Sequence, residues 1–180
     1  MKKKYSIIIF SFLCYGTVIA QSAHEKTTAI QANFTEKSIE AYQQNSMDKV
    51  SELYQYLTLY SDKNSNAELK KQLMENITSL FIEENTKIYD FLSPEKKIIN
   101  LSLLLNKIEN KSYEFKLKPS YNSTDLSFNS WTNQYGIEVT NGISQFNFTV
   151  NQKIYFSPNE KTFGVKNKTV WDIKLGDILP

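Results

Sequence analysis

Histidine, cysteine and arginine are nearly or wholly missing from this chain, and each absence removes a class of chemistry. The only histidine is His24 and the only cysteine is Cys14. A zinc, copper or haem centre draws several such ligands together, so no tightly held metal and no cofactor is expected. A Ser-His-Asp or Cys-His nucleophile would have to take its base from position 24, which disfavours both. All 21 basic residues are lysine. Without the forked guanidinium of arginine the usual bidentate reading of base edges is lost, so a nucleic-acid partner is not expected. Gly136, Gly142, Gly164 and Gly176 stand alone, each near a strand end or turn, so no glycine-rich cradle for phosphate exists.

The N-terminus holds a tripartite pattern. Met1-Lys2-Lys3-Lys4 is basic, residues 7–13 are almost wholly apolar, and Val18-Ile19-Ala20 places compatible residues before Gln21. This reads as a secretory signal cleaved after Ala20, giving an exported protein, periplasmic or secreted. The apolar stretch is shorter than the roughly 20 residues a membrane span needs, and no later segment approaches that length. A lipidated cysteine wants a small residue before it and Leu13 is large, so lipidation at Cys14 is the lesser alternative, and cleavage after Ala20 takes Cys14 away with the signal. Its removal also takes three of the 21 lysines, leaving 18 against 19 acids, a net charge of −1. Such a product has no disulfide and must rest on an ordinary core, which its 160 residues, 21–180, can bury as one domain.

Residues 21–34 are polar and aperiodic and read as a flexible leader; residues 35–180 read as a single α+β domain. Helical spacing begins at Thr35, with Ile39 and Tyr42, then Val50, Leu53, Tyr54, Leu57 and Tyr60 on one face. Asn45-Ser46 is a possible interruption. Ser65-Asn66-Ala67-Glu68 matches a capping box that opens a second amphipathic helix through Leu69, Leu73, Ile77, Leu80 and Phe81. Residues 87–92 suggest a short strand with Ile88, Asp90 and Leu92 on one side. Ser93-Pro94-Glu95 suggests a helix start, and Leu101, Leu104, Leu105 and Ile108 a third apolar face.

After Lys111 the period falls to two. Tyr113, Phe115 and Leu117 alternate with polar residues, residues 119–127 read as a turn-rich connection, and a strand follows over 131–139. Asn141-Gly142 predicts a tight hairpin turn. Phe146, Phe148, Val150, Ile154 and Phe156 share one face of a long strand. Residues 157–168 read as a loop, and Thr169, Trp171, Ile173 and Leu175 begin the last strand. The expected architecture is N-terminal amphipathic helices packed on a curved C-terminal antiparallel sheet.

Two acids, Asp90 and Asp172, lie in apolar, strand-like surroundings where burial would raise a pKa and prepare a general base. Asp172 alternates with Trp171 and Ile173, which turns it toward solvent, and no catalytic residue is assigned. The sheet aromatics are the one abundant resource. Trp131, Tyr135, Phe148 and Trp171 are the candidate ligand-binding residues, on a face that serves either as core or as a surface for a small apolar ligand.

The order of helices and long strands resembles the nuclear-transport-factor-two-like, cystatin-like cone superfamily. Phe163 to Ile178, F-x-x-x-x-K-T-V-W-D-I-K-L-G-D-I, together with Ile19-Ala20-Gln21, resembles small exported proteins of Bacteroidota. The resemblance covers about residues 35–178. It implies a pocket between helices and sheet, used by some relatives for acid–base catalysis and by others for binding or dimerisation. The leading expectation is a non-enzymatic binding or interaction module of the bacterial cell envelope, its partner a small apolar ligand or an envelope protein. The alternatives are a small cofactor-free enzyme with a carboxylate base in the pocket, and a structural component of an envelope complex.

Overall fold

The computed structural model describes residues 30, 33–93 and 97–180. The export signal, Cys14, His24 and the Pro94-Glu95 helix start lie outside the described residues. The first helix, α1 (Glu36–Ser61), is opened by Thr35, whose side chain accepts from the Ser38 N–H. It runs unbroken through Asn45-Ser46, because the Ser46 hydroxyl donates back to the Gln43 carbonyl at 2.6 Å instead of capping a new start. Its buried stripe of Val50, Leu53, Tyr54, Leu57 and Tyr60 is the one the periodicity predicts, and Met47 extends it.

Helix α2 (Ala67–Leu80) is capped by Asn66, not Ser65: the Asn66 side-chain Oδ1 accepts from the Leu69 N–H at 2.8 Å. Ser65 is already committed, donating to the Leu59 carbonyl at 2.9 Å. Two short strands follow, β1 (Lys87–Tyr89) and β2 (Ile98–Asn100), paired antiparallel. Helix α3 (Leu101–Ile108) starts from Asn100, whose side chain accepts from the Leu103 N–H. The third helix is thus short, and a strand occupies the residues just before it.

Four long strands complete the sheet: β3 (Glu114–Thr124), β4 (Ser130–Thr140), β5 (Gln145–Phe163) and β6 (Lys166–Leu179). The order is β2-β1-β6-β5-β4-β3. The β1–β6 pair is parallel, so the sheet is mixed, antiparallel in every other pairing. The expected turn around Pro119 is instead an irregularity inside β3, between Leu117 and Tyr121. An outermost strand tolerates proline there because its outward N–H has no ladder partner to lose. The β4–β5 hairpin turns at Asn141-Gly142 as predicted, but through four residues, 141–144, and not a two-residue turn: the Asn141 side chain accepts from the N–H groups of Ile143 and Ser144, and Gly142 sits at φ 83°.

The largest departure lies at residues 157–168. They form no loop: β5 and β6 stay paired out to Phe163 and Lys166, joined by Gly164-Val165 alone. Gly164 at φ 62° supplies the positive angle that a two-residue turn with glycine first requires. Packing also begins earlier than Thr35, since Ile30 is buried and the Phe34 ring meets Tyr42, Phe156 and Trp171. The three helices lie on one face of the sheet, with α1 against β3 and β6 and against the other two helices.

The assignment of the α2 cap has a direct check. Asn66→Ala should lower stability by about 1 kcal/mol in urea unfolding, and Ser65→Ala by distinctly less; the reverse order would move the cap to Ser65.

Candidate functional site

The inner sheet face begins with the alternation in β4 and β5. Trp131, Asn133, Tyr135, Ile137 and Val139 all turn inward and are buried, as do Val150, Gln152, Ile154 and Phe156 opposite them. Helix α1 closes over this face, and two polar chains tie it down. The Tyr54 and Tyr135 hydroxyls lie 3.0 Å apart, and Tyr135 donates to Gln152 Oε1 at 2.7 Å. Tyr135 has a single proton and spends it on Gln152, so Tyr54 is the donor between the rings. Gln152 Nε2 in turn donates to the Gly176 carbonyl at 3.4 Å. In the second chain Asn133 accepts from Ser123 at 2.7 Å and donates to Ser46 at 2.7 Å.

Burial pushes the Tyr54 hydroxyl far above its ordinary range, against the opposing pull of the Tyr135 hydrogen bond. Tyr135 is raised by burial first, then by Tyr54. Both stay protonated at neutral pH, so they hold the helix to the sheet and supply no base. Space is short as well. The Tyr54 ring meets Phe91, Phe115 and Tyr135 with centroids about 6 Å apart, and the region between helix and sheet is side chain throughout that cluster.

Asp90 is buried, as its apolar neighbours suggested, but its charge is answered. Its Oδ2 accepts from Lys107 Nζ at 2.5 Å and its Oδ1 from the Leu92 N–H at 3.1 Å. Lys107, on α3, was invisible as a partner in the sequence, where it stands 17 residues away. Asp172 is partly exposed, with Lys49 at 3.8 Å and the Ile173 N–H at 3.0 Å. Among the described residues no cluster of three histidine, cysteine or acidic side chains is placed to hold a metal ion.

The four aromatic candidates divide. Trp131 and Tyr135 are 1% exposed and belong to the interior. Trp171 is half-buried, stacked on Phe156 at 4.6 Å and edge-on to Phe34 at 5.0 Å. Phe148 is half-buried elsewhere, against Tyr89 and Phe91. Phe156 brings the two tryptophans into one cluster, with its centroid 5.9 Å from that of Trp131, while Tyr135 joins the hydroxyl chain. The four do not share one outward surface, because α1 and Phe34 cover the inner face.

What the outside offers is different. Beyond Phe156 every residue from Ser157 to Thr169 is exposed, so the end of the β5–β6 hairpin is an arm with no core packed against it. Val165 at its turn is 100% exposed and Phe163 54%. Lys161, Lys166 and Lys168 line it, the last with its ammonium 6.0 Å from the Phe163 ring centroid. At the far end of α2, Met74, Phe81 and Ile82 floor an open hollow of about 510 Å³ rimmed by Glu75, Glu83 and Glu84. The sequence signal for the arm was its turn: glycine first of two residues, with residues of strand length on either side.

The chain matches no protein-family model and no curated protein.

Breaking the hydroxyl chain should destabilise without a partner being involved. Tyr135→Phe leaves Gln152 and Tyr54 unmatched and should cost about 1–3 kcal/mol. Adding Tyr54→Phe should cost less than the sum of the single changes. The raised hydroxyls also predict a pH limb: their contribution is whole below the ordinary tyrosine value of about 10 and falls as pH rises beyond it. Urea unfolding at neutral and strongly alkaline pH checks both, and an alkaline loss of equal size in the double variant would contradict the assignment.

Proposed function

We propose that this chain is an exported interaction module of the bacterial cell envelope, which docks a protein partner on its outer surface and turns over no substrate. One observation carries the reading: the space between α1 and the sheet is filled by Tyr54, Tyr135 and Gln152, while the β5–β6 arm stands clear with Phe163 and Val165 uncovered. Ordering a segment costs about 1–2 kcal/mol per residue in backbone entropy, and apart from its own strand pairing and the Lys168–Phe163 contact this arm offsets none of that by packing on the core. A second body is where such an arm gains contact. Its lysines protect the exposed strands from indiscriminate edge pairing.

The nuclear-transport-factor-two-like resemblance belongs to the same proposal, with the pocket of that superfamily occupied here by the chain's own side chains. The enzyme alternative needs a carboxylate free to accept a proton, and both Asp90 oxygens are engaged by Lys107 and the Leu92 N–H. Export supports the reading from the sequence, through the basic, apolar and small-residue pattern of residues 1–20.

With Cys14 removed along with the signal, the exported chain offers a clean test. Val165→Cys, carrying a photoreactive group in intact cells, should give a discrete protein adduct on a chain whose first residue is Gln21. The same label at Thr149, on the uncovered sheet face, should give none. Equal labelling at both positions, or an N-terminus at Met1, would count against docking or export respectively.

A further inference from the structure

Taking the arm as a docking element, we infer that its partner is a second copy of this chain, whose acidic hollow beside α2 receives the arm tip. The two surfaces match in both charge and polarity. The tip offers Phe163 and Val165 flanked by Lys161, Lys166 and Lys168, against a single acid, Glu160. The hollow offers the apolar floor of Met74, Phe81 and Ile82, with Met74 44% and Ile82 46% exposed, inside a rim of Glu75, Glu83 and Glu84. No lysine lines it. Lys174 donates its ammonium to the carbonyl of Ser79, a lining residue, at 2.6 Å, and Lys71 stands one helical turn before Glu75. Among the described residues, none of the three rim acids enters a salt bridge, nor do Lys161 and Lys166. At about 510 Å³ the hollow is open and shallow, so it would seat an apolar tip against its lining without enclosing it, and methionine adapts its shape to what it meets.

Geometry requires a second molecule. Phe81 is bridged to Leu175, which pairs with Ile154. The ladder then runs from Ile154 to Phe163 and the turn, and at about 3.3 Å per residue this sets the tip roughly 30 Å from the strand beside its own hollow. The other acidic hollow, by Glu36 and Glu40 at the start of α1, fits less well because its apolar residues Phe34 and Ile39 are already packed into the core. Arm into hollow is a contact between unlike surfaces, so every copy brings one of each.

That asymmetry provides the experiment. Sedimentation of the purified chain should show concentration-dependent association that weakens with salt. Phe163→Glu with Val165→Glu, and separately Glu83→Lys with Glu84→Lys, should each weaken it by tenfold or more; all four positions are exposed, and circular dichroism with unchanged melting temperature confirms folding. Mixing the two variants should restore pairing, since one keeps its hollow and the other its arm, and the mixture should stop at a one-to-one pair. A wild-type chain that stays monomeric at all concentrations overturns self-association, as does association that survives the arm changes. The Val165→Cys adduct separates the two levels of the account. An adduct of twice the chain mass supports the copy, an adduct to a different envelope protein overturns the copy but keeps the docking reading, and no adduct removes both.

Discussion

The closure of α1 over the inner sheet face is the constraint on which the rest of the molecule depends, and the Tyr54–Tyr135–Gln152 chain is its fastening. A buried hydroxyl without a partner costs free energy of the order of 1–3 kcal/mol. Two such hydroxyls and an amide therefore bring helix and sheet together in one register only. The Ser46–Asn133–Ser123 contacts repeat the device a little over two turns nearer the N-terminus of the same helix. With both in place the aromatic side chains of that cluster pack between helix and sheet, and the proposed docking is accordingly assigned to the outer surface.

The same closure explains why charge and apolar surface are distributed as they are. Asp90 is tolerated inside because Lys107 and a backbone N–H meet it, the pairing that burial of a carboxylate demands. Uncovered apolar groups remain on several elements, Leu59, Phe128, Ile143 and Phe146 among them, and the arm tip and the end of α2 are two of these places. At the tip the neighbouring charges are lysines, and at α2 they are glutamates. A near-neutral chain can thus carry locally opposite surfaces, a property that its net charge conceals.

Where one face is buried and the other wet, the sequence pattern was readable. The α1 stripe, the Leu101 to Ile108 face and the alternation of β4 follow directly from period 3.6 and period 2. Where both faces are wet there is no alternation to read, which is why residues 157–168, rich in Asn and Lys and holding Pro158 and Gly164, pass for a loop although each strand is paired to the tip. Pro119 misled for a related reason, since it sits in the irregular part of an edge strand instead of ending it. The aromatic residues were legible as one sheet face, but the sequence does not say what covers a face. That was decided by α1 and by Phe34, which lies in the stretch read as leader. The partners Lys107 for Asp90 and Gln152 for Tyr135 are set by tertiary approach and have no local signature.

On the proposed reading the arm is separate from the core in stability and necessary for docking. Excision tests that most directly. Pro158 and Trp171 are register partners, so residues 159–170 can be replaced by an Asn-Gly turn without disturbing the pairs below them. The shortened chain should melt within a few degrees of the parent and lose its association altogether. A shortened chain that unfolds would make the arm part of the core, and one that still associates fully would place docking elsewhere; either result contradicts the account.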